Sequence, residues 1–188
     1  MNKHRLLLLF IFGLAFLVIG VSCSREESEA LQSRSTPASS QRQERLRTKW
    51  LDFNDGLAKA KTENKPIFVE FYAEWCVYCK KFQKETIQNE NVARILSEKF
   101  VYIRLDAENQ KNQIKYNGNN MSNVELTRSF GITSFPSLVF LESGGKPITL
   151  FPGFMPAPQF SALLNYIHHK CYETKISFHD FVKKGRCN

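Results

Sequence analysis

The chain reads as an α/β domain, a central mixed β-sheet flanked by helices. Three observations point there. Between Trp50 and His169, short apolar runs of strand length alternate with stretches of helical period, the pattern of parallel strands joined through helices. The last two strand-like runs, Ser137–Glu142 and Pro147–Phe151, are separated only by Ser143-Gly144-Gly145-Lys146, a hairpin signal that makes part of the sheet antiparallel. Finally, the run Ile67–Tyr72 passes into a helix through Cys76-Val77-Tyr78-Cys79. That spacing places both sulfurs on a first helical turn, where free backbone N–H groups and the helix dipole favour a thiolate.

Each element has its own warrant. Asp52 or Asn54 can cap a first helix carrying Leu57, Ala58 and Ala60, which stops before Asn64-Lys65-Pro66. Ile67–Tyr72 is β-branched and aromatic, a central strand. In the helix that starts near Cys76, the residues Cys79, Phe82 and Thr86 share an inner face, while Lys80, Lys81 and Lys84 face water. Asn89-Glu90-Asn91 breaks it, and Val92, Ile95 and Leu96 carry a shorter helix. Phe100–Leu105 alternates around Val101, Ile103 and Leu105, a second strand. The polar stretch Asp106–Met121 reads as a long loop, functional or simply a tolerated surface insertion. Ser122 and Glu125 form a capping box for a helix closed by Gly131. Ala157–His169 is amphipathic through Phe160, Leu163, Leu164 and Ile167, and a last short helix spans Ser177–Lys184.

The chain of 188 residues divides into residues 1–22, 23–49 and 50–188, with a C-terminal extension from about residue 170. Lys3 and Arg5 precede an unbroken apolar run, Leu6–Val21, which is an export-signal layout and, at 16 residues, shorter than the about 20 a spanning helix needs. It ends in Gly20-Val21-Ser22-Cys23, which resembles the lipobox of bacterial lipoproteins and makes Cys23 the expected lipidation site; an uncleaved anchor and a soluble secreted form rank behind it. Ser24–Thr48 is rich in Ser, Gln, Arg and Glu and buries too little to fold. It is expected to be a tether with a reach of about 25–30 Å. The formal charge is +8, falling to +6 once Lys3 and Arg5 are removed. The basic residues are dispersed and no nucleic-acid-binding module accompanies them, so the charge suits a solvated surface near anionic lipid. Of five cysteines, Cys23 belongs to the signal, Cys76 and Cys79 to the C-x-x-C, and Cys171 and Cys187 remain, a candidate structural disulfide in an oxidising compartment.

Residues 66–82, Pro-Ile-Phe-Val-Glu-Phe-Tyr-Ala-Glu-Trp-Cys-Val-Tyr-Cys-Lys-Lys-Phe, resemble the active-site segment of thioredoxin-fold proteins, most of all the C-terminal periplasmic domain of thiol:disulfide interchange protein DsbD. The resemblance covers roughly residues 50–169 and extends to Lys65-Pro66, to Thr133-Ser134-Phe135-Pro136 and to Gly153-Phe154-Met155. It implies a thioredoxin-like fold and thiol–disulfide exchange without a dissociable cofactor. Cys76, at the helix tip, is then the exposed nucleophile, and Cys79, one turn further in, the resolving thiol. Glu70, where the family carries a buried acid (usually Asp), assists the proton transfer of Cys79. Pro136 matches the family's cis-proline, and it and Phe135 flank the substrate; Trp75 shields the disulfide. Val77-Tyr78 stands where thioredoxin has Gly-Pro, a dipeptide that tunes the potential.

The expected function is a membrane-tethered thiol:disulfide oxidoreductase that reduces disulfides of exported proteins, draws electrons from a separate membrane donor, and faces the periplasm or cell exterior. The rivals are an oxidase or isomerase with the same parts, a thioreductase of apocytochrome c, and a binding or metal-handling module in which the C-x-x-C is not catalytic. His168-His169 beside Cys171 does not read as a metal site, because adjacent helical residues point to different faces and no fourth ligand is evident.

Overall fold

The computed structural model describes residues 49–187. The export signal, Cys23 and nearly all of the expected tether lie outside the described residues. The chain enters on Trp50 and Leu51; Leu51 bridges Ile103, and Trp50 packs its indole on Phe68 and Tyr102.

Helix α1 (Phe53–Glu63) is capped by Asp52, whose side chain accepts from the Asp55 N–H. Its buried face is Phe53, Gly56 and Ala60; Leu57 is half-buried and Ala58 exposed, so the face inferred from Leu57, Ala58 and Ala60 is rotated. The reason is Gly56, where a Cβ would collide with Ile103: helix and sheet approach too closely there for any side chain. Strand β1 (Ile67–Tyr72) follows. It is central, parallel to β2 (Val101–Asp106) and antiparallel to β5 (Ser137–Leu141), which pairs antiparallel with β6 (Pro147–Pro152). The order is β2-β1-β5-β6, the mixed sheet the sequence predicts. Between β1 and β2 lie α2 (Val77–Phe82), a π-helical turn (Gln83–Ile87) and α3 (Glu90–Lys99). Then come the two short strands β3 (Ile114–Tyr116) and β4 (Asn119–Met121), helix α4 (Asn123–Ser129), and, after the sheet, α5 (Ala157–His168), a 3₁₀ turn (Cys171–Glu173) and α6 (Phe178–Lys184).

The period of two in β1 sorts its side chains between two cores. Ile67, Val69 and Phe71 meet α1, α4 and the inward row Val101, Ile103 and Leu105. Phe68 points the other way, against Phe82, Phe140 and Phe160, with α3 and α5 completing that layer. Glu70 shares the face of Phe68 and Tyr72, so the sheet places a carboxyl directly under α2.

Two readings change. Asp106–Met121 is not wholly a loop: β3 and β4 pair antiparallel about Asn117-Gly118, both at positive φ. The hairpin is docked. Asn54, expected as a possible cap, instead accepts from the Lys115 N–H (3.0 Å) and donates to the Gln113 carbonyl (2.9 Å). The Tyr116 hydroxyl donates to the Gly145 carbonyl at 2.9 Å. The helix after the cysteines also does not run as one α-helix, since its second half widens into a π turn.

Candidate active site

β1 delivers the chain to the top of the sheet, and Ala73-Glu74-Trp75 turns it into α2. The Cys76 N–H donates to the Ala73 carbonyl at 3.0 Å. Cys76 is the N-cap of α2, with extended backbone, and its sulfur accepts the Cys79 N–H at 3.0 Å. That is one of the donors a helix start leaves unpaired. The pair is bonded as a disulfide with Cα atoms 5.3 Å apart.

Cys76 is not the exposed sulfur that its place at a helix tip suggested. It is 3% exposed and Cys79 is 1% exposed. The half-buried rings of Tyr72 and Phe135 pack against the two cysteines and Ala73. The exposed apolar surface lies beside them: Trp75 is 66% exposed, with Val77 and Tyr78 similarly open. Trp75 meets Phe135 edge-on at 6.1 Å and donates its indole N–H to Glu108 at 3.0 Å.

Glu70 is fully buried. Its Oε2 accepts from Gln83 and from the Arg104 Nε, the latter at 3.3 Å. Its Oε1 is buried without a hydrogen-bond partner among the described residues. Burial pushes its pKa from 4.5 up to about 7, against the opposing pull of the Arg104 guanidinium and the Gln83 hydrogen bond. Arg104 faces Glu70 across the parallel pair in register, and its guanidinium lies 3.6 Å over the Tyr72 ring. Gln83 follows Cys79 by four residues, so the helix that carries the cysteines also grips the acid. The π turn that begins at Gln83 continues to buried Thr86, whose hydroxyl donates to the Met155 carbonyl at 2.7 Å and ties α2 to the loop before α5.

The Phe135–Pro136 peptide bond is cis, and the Pro136 carbonyl accepts from the Gly153 N–H at 2.7 Å. Phe135 lies beside the disulfide, and Cys76, Cys79, Trp75, Phe135 and Pro136 gather at one end of the sheet, with Glu70 in β1 beneath α2. Cys171 and Cys187 do not. They are joined as a second disulfide, Cα atoms 5.2 Å apart, at the end of α5. His168 packs near Phe100, and burial lowers its pKa. Among the described residues no three His, Cys, Asp or Glu side chains gather as metal ligands would.

Sequence reasoning missed Arg104, Gln83 and Glu108. Arg104 had a signal: it is the one charge inside the alternating run Val101–Leu105, matching Glu70 in the partner strand, though only the strand register shows that they pair. Gln83 and Glu108 had none.

Comparison with known proteins agrees with this geometry. A profile described as a thioredoxin-like domain matches residues 53–168. Thiol:disulfide interchange protein DsbD of Salmonella typhi is 32% identical over 116 residues, 61% of this chain and 18% of that protein. This chain therefore aligns with about a fifth of the length of that curated relative. A thioredoxin-fold protein from Helicobacter pylori superposes with a TM-score of 0.53 at 26% identity, covering 65% of this chain and 80% of that one. A thioredoxin from Thermus thermophilus superposes at 0.52 with 23% identity, covering 63% and 85%, a likeness of fold.

Proposed function

The chain belongs to the thioredoxin-like domain family, and from that premise we propose that it is a thiol:disulfide oxidoreductase that reduces disulfides of exported proteins through Cys76 and Cys79. The observation that carries the reading is the N-cap contact: the Cys76 sulfur accepts the Cys79 N–H at a helix start, with a buried acid beneath the same helix. A thiolate there is favoured over one on Cys79, which has no such donor among the described residues and sits a turn further in.

In the reduced chain the Cys76 thiolate attacks one sulfur of a target disulfide. A Cys76–target bond forms, the target's own S–S bond breaks, and one target thiolate leaves and takes a proton. Cys79 then loses its proton to Glu70 and attacks the Cys76 sulfur. The Cys76–Cys79 bond forms, the Cys76–target bond breaks, and the second target sulfur leaves as a thiolate and takes a proton. The target gains two electrons and the chain loses two. Glu70 suits the proton step because its pKa of about 7 lies near ambient pH and Oε1 can take a proton without breaking a hydrogen bond. Pro136 and Phe135 flank the sulfurs where an extended target chain would lie, its backbone pairing with theirs. No dissociable cofactor takes part.

The oxidised pair must be recharged by a donor dithiol. We assign that role to a separate membrane protein docking at the Cys76 edge, with this domain exported and held near the membrane through Cys23 and the stretch 24–48. The reductase direction rests on the likeness to DsbD; an oxidase would use the same parts at a higher potential.

The test is insulin reduction by the full chain with a regenerating dithiol. Turnover should be abolished by Cys76→Ser. Retained turnover would remove the assignment. Direction is read from the redox state in cells after acid trapping: a reductase is found largely reduced and becomes oxidised when its donor is lost, whereas a fully oxidised pool makes it an oxidase.

A further inference from the structure

The nucleophile of an exchange reaction has to be reached, yet in the oxidised chain Cys76 is 3% exposed. Attack on a disulfide needs an approach in line with the breaking bond, so something must move. The rings against the pair are Tyr72 and Phe135. Tyr72 is fixed in β1 and covered by the Arg104 guanidinium at 3.6 Å. Phe135 is carried on a loop whose preceding residues, Thr133 and Ser134, are exposed. Its ring packs partly on the core that β1 shares with α1 and α4 and partly on Trp75, edge-on at 6.1 Å, and Trp75 is held in turn by Glu108 through the 3.0 Å indole hydrogen bond. Three segments remote in sequence, the β1–α2 turn, the residues after β2 and the loop before β5, thus meet in one chain of contacts ending over the sulfurs.

We propose that Phe135 is a gate over the Cys76–Cys79 disulfide, braced by Trp75 and latched by Glu108, and that it selects partners able to replace the ring. This deepens the exchange reading and rests on it. Swinging Phe135 away gives up its edge contact with Trp75 and wets aromatic surface. A polypeptide that lays an apolar or aromatic side chain against Trp75, Val77 and Tyr78 restores that contact, so it binds the open state better than the closed one and shifts the population toward it. A small thiol covers nothing and meets mostly the closed state. The gate therefore favours protein dithiols and disulfides with apolar neighbours over glutathione-like thiols, and it protects the site from the small-thiol pool.

The experiment reduces the oxidised full chain with excess dithiothreitol. One reagent thiolate bonds to the Cys76 sulfur, the Cys76–Cys79 bond breaks, and Cys79 leaves as a thiolate and takes a proton. The second reagent thiol then displaces Cys76, leaving two protein thiols and the cyclic reagent disulfide. Quenching by alkylation and peptide mass counts each pair separately, so Cys171–Cys187 serves as the internal control.

Phe135→Ala should speed reduction of Cys76–Cys79 about tenfold and Glu108→Ala about threefold, leaving the control pair unchanged. Unchanged Cys76–Cys79 rates in both variants overturn the gate. If Phe135→Ala accelerates both pairs together the fold has loosened, and Glu108→Ala, a surface change, decides: a selective gain supports the gate and no gain overturns it. Insulin turnover by the unaltered chain, run in parallel, reports the exchange reading alone. Its absence removes protein-disulfide reduction, while the small-thiol rates still judge the gate.

Discussion

The described chain holds two disulfides of nearly equal span, Cα separations of 5.3 and 5.2 Å, in unlike settings. Cys76 caps a helix and accepts a backbone N–H, its partner shares a helix with the residue gripping a buried acid, and exposed Trp75, Val77 and Tyr78 surround it. Cys171 is fully buried in a 3₁₀ turn and bonds to a cysteine 16 residues on, with α6 enclosed between them. Phe178 and Phe181 of α6 pack on Tyr166, and Phe178 also meets Phe151 on edge strand β6. The lesson is that the environment assigns the chemistry. A sulfur with a spare donor, a proton acceptor and an apolar landing surface can be turned over, while one walled in by a closed loop is a staple.

The largest effect that tests this contrast is on turnover. Cys76→Ser should lower insulin reduction by about three orders of magnitude or more. Cys79→Ser should instead accumulate mixed disulfides on Cys76, visible as mass additions that reducing agent removes. Capture through Cys79 in Cys76→Ser, with none in Cys79→Ser, would exchange the two roles. The double change Cys171→Ala/Cys187→Ala should leave turnover in place at temperatures where the domain is folded.

Stability should divide the other way. Opening the Cys171–Cys187 loop, of about 15 residues, should cost about 3 kcal/mol by chain entropy, read as a lower midpoint in urea. A shift under 1 kcal/mol (roughly) would mean that α6 packs on α5 without need of the staple.

The third prediction is the pH dependence of stability. The Glu70 carboxyl titrates near 7 in the folded chain against 4.5 when free. Below the lower value both states hold the proton and the folded state has its full advantage. Between the two the unfolded chain has lost its proton and the folded chain has not, so stability falls as pH rises. Above the upper value the loss is complete, about 3 kcal/mol in total. Urea midpoints between pH 4.5 and 7 should show that slope in the parent and a flatter one in Glu70→Gln. The same change should slow resolution of the mixed disulfide about a hundredfold with little effect on the first attack. Equal slowing of both steps would make Glu70 a packing residue.

How much of this was legible in the sequence depends on range. The strand entering the C-x-x-C, the Ser122–Glu125 capping box and the amphipathic face of α5 are local patterns, and the structure has each where the residues put it. The hairpin at Asn117-Gly118 carried a turn signal but too little flanking alternation to outweigh the polar stretch around it. The π turn left no trace, because it is set by what Thr86 and Gln83 reach in other segments. Nor did the burial of Cys76: position on a helix says which sulfur is activated, whereas its cover comes from Tyr72 and from Phe135, the latter about sixty residues away in sequence.

Arg104 is the finest divider between the two disulfides, because it reaches the active pair indirectly, through Glu70 and through the Tyr72 ring. Its charge holds the carboxyl below the value burial alone would give. Removing that charge while keeping length and apolar character, as in Arg104→Met, should raise the Glu70 pKa further, so that the basic form needed to take the Cys79 proton is reached later. The pH–rate profile of the resolution step should then move about one unit toward alkaline pH. Arg104→Lys keeps a positive charge but loses the flat stacking on Tyr72. It should restore most of the profile while leaving the aromatic contact weaker. If Arg104→Met and Arg104→Lys shift the profile equally, stacking and not charge is what matters. If neither shifts it while Glu70→Gln does, then the strand register has placed an arginine beside the acid without making it part of the proton path.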